Sequence, residues 1–88
     1  MSYRPERVPE EVKASLARYV EHRIPTGGFL YAVLTNDLKE AAGRADSENF
    51  EALGHIVGYC WNEIPSSCWG SERAVAAWLN PETEPVTP

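Results

Sequence analysis

Histidine and cysteine are scarce in this sequence, with two of each among 88 residues. Two cysteines are too few to staple a small secreted fold, so the chain is expected to fold without a disulfide framework. Cys60 and Cys68 lack the spacing of a CxxC redox or zinc motif. His22 and His55 fall in no HExxH or CxxC…HxxxH pattern, so a zinc site would have to be assembled from scattered residues. Positive charge is short as well: eight Lys and Arg stand against thirteen Asp and Glu, for a formal charge of −5. That balance argues against binding nucleic acid by charge attraction. An acidic surface suits solubility first and a basic protein partner second. Long hydrophobic runs are missing. "FLYAVL", residues 29–34, is far too short to cross a bilayer. The opening "MSYRPERVPEE" is charged and has no apolar core, so no signal peptide is expected. A cytoplasmic protein with two free thiols and no membrane contact is the expectation. There is no nucleophile elbow, P-loop or dinucleotide fingerprint, and "GG" at 27–28 alone does not make a phosphate cradle. No catalytic residue, cofactor or metal is therefore expected.

What is present is helical periodicity. "VPEEVKASLARYVEHRI" places Val12, Leu16, Tyr19 and Val20 on one stripe, with Pro9 and two glutamates at its start and Pro25 just past its end. "GGFLYAVLTNDLKEAAGR" is expected as one helix, capped by Thr26, apolar almost all round to Leu34 and amphipathic afterwards with Leu38 and Ala41 inward, stopping at Gly43. Asp37 lies at the border of its buried side, placed to cap a neighbouring helix or to pair with Arg44. Asp46 or Ser47 caps the third helix, residues 48–64, with Phe50, Leu53, Val57, Cys60, Trp61 and Ile64 sharing one face. Gly54 and Gly58 on that helix each cost about 1 kcal/mol relative to alanine, which suggests close approach of another backbone or of Trp61. "SERAVAAWL" is a short fourth helix capped by Ser71 or Ser66. The fold expected is all-α, a bundle of three main helices plus a short fourth, in a single domain over 1–80 with a disordered acidic, proline-rich tail at 81–88. Its expected core is Leu16, Val20, Leu30, Val33, Leu34, Leu53, Val57, Trp61 and Trp78.

"YVEHRIPTGGF" (19–29) and "YCWNEIPSSCW" (59–69) share Tyr, Ile, Pro, a hydroxyl residue and an aromatic at a constant offset. Both fall where one helix ends and the next begins. The match fits two αα-hairpins built alike, or chance similarity. In either case 59–69 reads as a helix corner rather than a reactive loop. Cys60 lies on the apolar stripe and Cys68 in that corner, so both read as structural thiols.

Glu51, His55, Tyr59 and Asn62 share the face of the third helix opposite the apolar stripe. An ordinary solvated face and a partner-binding face both fit them. Tyrosine and tryptophan are frequent interface anchors, so Trp69 in the corner joins the four as candidate partner-binding residues. The acids between Asp46 and Glu63 are too few to make nucleic-acid mimicry the better reading.

"GGFLYAVLTNDLKEAAGRAD", then "YCWNEIPSSCWGS" and "V..WL", resemble a largely uncharacterised family of small proteins encoded by phages and prophages. The more specific pieces are "GRAD" at 43–46 and "CWGS" at 68–71. The resemblance implies a mobile-element origin and a host protein as partner. In its sharper form it implies an inhibitor of host defence, such as an anti-CRISPR protein, in the cytoplasm of a bacterial host. It carries over no catalytic residue. The alternatives are a small metal- or thiol-dependent protein using His55, Cys60 and Cys68, or a structural virion component.

Overall fold

A computed structural model describes residues 3–81. Five α-helices succeed one another: α1 (Glu10–His22), α2 (Gly28–Leu34), α3 (Leu38–Arg44), α4 (Ser47–Glu63) and α5 (Glu72–Leu79). Short 3₁₀ turns at Pro5–Arg7 and Ser66–Cys68 precede α1 and α5. There is no strand among the described residues, and the all-α class expected from periodicity is what folds. The acidic, proline-rich tail falls outside the described residues except for Pro81.

Each helix start has a local cause. Asp46 accepts a hydrogen bond from the Asn49 backbone N–H at 2.8 Å, and Ser71 from that of Ala74 at 3.0 Å. Caps of this kind are worth about 1 kcal/mol each. Gly27, not Thr26, occupies the cap position of α2, and no side chain caps it. α3 runs through Gly43 to Arg44 rather than stopping at the glycine.

The expected second helix is two. Asn36 takes the left-handed conformation (φ 65°). Its N–H reaches Val33 O at 3.1 Å, and that of Asp37 reaches Ala32 O at 2.8 Å. This is the Schellman ending, with asparagine where glycine is usual. Buried Thr35 reinforces it, its hydroxyl donating to Tyr31 O at 2.8 Å. Asp37 then caps α3 by accepting from the Glu40 N–H at 3.2 Å. Of the two roles expected for Asp37 the cap is realised, while Arg44 pairs with Glu40 at 2.9 Å. The result is an α2–α3 hairpin across which the Arg44 side chain lies against Gly28.

The core joins Val8, Val12, Leu16 and Tyr19 to Leu30, Val33 and Leu34, to Ala52, Ile56, Cys60 and Ile64 of α4 and its end, and to Cys68 and Val75. Leu16, Leu30, Val33 and Leu34 are buried as expected, and Val20, Leu53 and Trp78 pack partly against the core. Val57 and Trp61 do not belong to it. They are 39% and 79% exposed. The inward stripe of α4 is Ala52, Ile56, Cys60 and Ile64, each four residues from the next, which keeps Cys60 and Ile64 of the expected apolar face inside and turns Phe50, Val57 and Trp61 toward solvent.

Candidate functional site

α4 presents two different outer surfaces, and the chain itself covers one of them. Residues 3–8 run across the side that carries Glu51, His55, Tyr59 and Asn62. The Arg4 N–H donates to His55 Nδ1 at 3.0 Å, the Tyr3 hydroxyl donates to Glu63 Oε2 at 3.0 Å, and Val8 is buried. Tyr3 packs so closely on Gly58 that a Cβ there would overlap the Tyr3 Cβ. Gly58 thus has a close neighbour, but it is the Tyr3 side chain, neither another backbone nor Trp61, whereas a Cβ at Gly54 would meet nothing. Glu51 and Asn62 remain exposed, with the Asn62 amide donating to Gly58 O at 2.7 Å. His55 and Tyr59 are half-buried, so the four do not form the open ladder expected of them.

The other surface is apolar and open. Phe50 (58% exposed), Gly54, Val57 and Trp61 recur along α4 at spacings of three and four. Beside them stand half-buried Leu53 and Trp69, and Leu38 at the start of α3, 70% exposed. A depression of about 360 Å³ lies between Trp61 and Trp69, floored by Ile64. A second, of about 150 Å³, lies on the other side of Trp69 against Leu53, Val57 and Leu38. A third, a polar cleft of about 690 Å³, opens at the α2–α3 break, where Asp37, Glu40, Arg44 and Glu72 face it. Asn36 borders all three. Its left-handed backbone places it at that junction, and its side chain makes no hydrogen bond among the described residues.

Of the residues singled out from sequence, only Trp69 belongs to this open surface. Val57 and Trp61 were expected in the core, Phe50 on the apolar stripe and Leu38 inward, and Asn36 was not expected at a site; Leu38 instead starts the short α3 on its outer side. One signal was available. Phe50, Leu53, Val57, Cys60, Trp61 and Ile64 span about 100° of the helix, but Ala52 and Ile56 extend the apolar arc to about 180°, wider than one face buries.

The two thiols are set for packing. Cys60 and Cys68 are fully buried and unbridged. Burial, with Cys68 close by, pushes the Cys60 thiol up to about 12. Burial pushes Cys68 up too, while its own backbone and Arg23 pull the other way. The Cys68 thiol donates to Pro65 O at 3.1 Å. Among the described residues no group of three His, Cys, Asp or Glu is placed to hold a metal ion, and no helix is long and apolar enough to cross a membrane.

In comparisons with protein-family models, with curated proteins and with solved structures, nothing matches this chain.

Proposed function

We propose that this chain is a non-enzymatic protein-binding module that docks through the open apolar surface centred on Trp61. One observation carries the reading. A tryptophan 79% exposed stands on the same strip of α4 as exposed Val57 and Phe50, with exposed Leu38 across a hollow from Val57, on a protein small enough to need its apolar residues for the core. Isolated exposed apolar residues need no explanation, but contiguous ones mark interaction sites, and tryptophan is a favoured anchor. Thiol chemistry is disfavoured, because a nucleophilic cysteine needs a thiolate and burial keeps Cys60 protonated. That the partner is a host protein, and the module an inhibitor of mobile-element origin, rests on the resemblance carried by "GRAD" and "CWGS". A virion component would use the same surface for self-assembly, and light scattering reports that directly.

The test compares wild type with Trp61→Ala and with Glu51→Lys. Each is immobilised and exposed to a lysate of the source cell, and captured proteins are read by mass spectrometry. A partner held by wild type and Glu51→Lys but lost with Trp61→Ala supports this docking face. Loss with Glu51→Lys alone returns the binding role to the other side of α4.

A further inference from the structure

Resting on that docking face, the geometry points to a class of partner. It is an extended segment of another protein that seats an aromatic side chain between Trp61 and Trp69, an aliphatic one against Leu38, Leu53 and Val57, and a lysine or arginine in the cleft at the α2–α3 break.

Three features combine to select this ligand. The first is shape. Two apolar depressions stand on either side of Trp69, the larger walled by two indoles and the smaller by aliphatic side chains. Indole walls suit an aromatic guest by stacking or edge-to-face contact. The smaller hollow suits a branched aliphatic group. The second is charge. Three carboxylates, of Asp37, Glu40 and Glu72, face the polar cleft against the one guanidinium of Arg44, a surplus of two negative charges. Arg44 is already paired with Glu40, so the cleft favours an incoming cation in a chain of net charge −5. The third is Asn36. It stands where the three depressions meet, and its side-chain amide can both donate and accept. A bound helix has satisfied its own backbone and would leave that amide idle. An extended segment offers N–H and C=O groups for it to pair, as in other modes that read peptide backbone.

A display library of random dodecapeptides, selected on the immobilised full chain, tests this. Enriched peptides are expected to carry an aromatic, an aliphatic and at least one Lys or Arg, and to bind more weakly as salt is raised. Trp61→Ala and Glu72→Lys should each weaken the best peptide by about tenfold or more. Asn36→Gly keeps the left-handed backbone and removes only the amide, so it should weaken binding several-fold at unchanged stability. Thermal melts by circular dichroism confirm that each variant is folded. No enrichment, enrichment without basic residues, or binding unchanged in Glu72→Lys and Asn36→Gly overturns the inference. Those last results, together with protein capture that still requires Trp61, would leave the docking face standing and remove only the ligand class. Capture indifferent to Trp61 would remove the face itself.

Discussion

The corner at 19–29 and the corner at 59–69 carry matching residues at matching spacing, yet they bury different members of the set. Tyr19 is fully buried while Tyr59 is half-buried, and Ile24 is 44% exposed while Ile64 is 8% exposed. The inward stripe of α1 passes through Val12, Leu16 and Tyr19, and that of α4 through Ala52, Ile56 and Cys60. Val12 and Leu16 correspond to Ala52 and Ile56, so the two core faces coincide there; in the last turn α1 buries Tyr19 where α4 buries Cys60, the counterpart of Val20, a shift of one position. In α4 the next inward position is Ile64. In α1 it is Arg23, which turns left-handed (φ 55°), stacks over Trp78 at 3.9 Å and donates to Trp78 O at 2.7 Å. The two corners also touch: the Tyr19 hydroxyl donates to Cys68 O at 2.7 Å. Similar residues set where each helix stops. What each helix packs against sets which of those residues is buried.

The largest expected difference is between the isoleucines. Ile64→Ala should cost about 2–4 kcal/mol in a denaturant titration, and Ile24→Ala well under half of that. Equal costs would dissolve the contrast. The tyrosines come next. Tyr19→Phe strips a buried carbonyl of its donor and should cost about 1–3 kcal/mol, whereas Tyr59→Phe should be close to neutral in the same assay. Arg23 sharpens the account of its corner: Arg23→Ala loses the Trp78 contacts and keeps the left-handed strain, while Arg23→Gly loses only the contacts. The alanine variant should therefore be less stable by about 1 kcal/mol, read as the difference between two melts.

The pH dependence gives an effect that is absent near neutrality and grows with alkalinity. The unfolded Cys60 thiol ionises near its ordinary value of about 8.5. In the folded protein burial holds it neutral up to about 12. Above the lower value the unfolded chain binds fewer protons than the folded one, so stability is complete below it and falls as pH rises toward the higher. Tyr19, also raised by burial, adds to the same fall. Cys60→Val should flatten the decline measured between about pH 8 and pH 11. The smallest change expected is from Trp61→Ala, under about 0.5 kcal/mol, because an exposed ring has little packing to lose. A loss several times larger would return Trp61 to the core.

Helix class, the caps at Asp46 and Ser71 and the capping option for Asp37 were legible because each depends on residues within one turn. The break at 35–37 was not. Asparagine replaces the usual glycine there, and the end of α2 is completed from a distance, the Gly70 N–H donating to Leu34 O at 2.6 Å. Gly58 announced a close neighbour, but only the folded chain identifies it as Tyr3. Trp61 was misread for a related reason. Periodicity shows that α4 has a broad apolar side, and which edge of it turns inward is decided by what Ile56 and Cys60 meet in the core.

The three tryptophans are held in three different settings. Trp61 stands in water, Trp69 is half-covered, and Trp78 lies beneath the Arg23 guanidinium with its indole N–H donating to Tyr19 O at 2.9 Å. Emission from the folded protein should therefore be a composite. Its reddest part should come from Trp61 and be the part most readily quenched by iodide. A ligand that covers Trp61 would shift that component to the blue, so the chain carries its own optical reporter of occupancy.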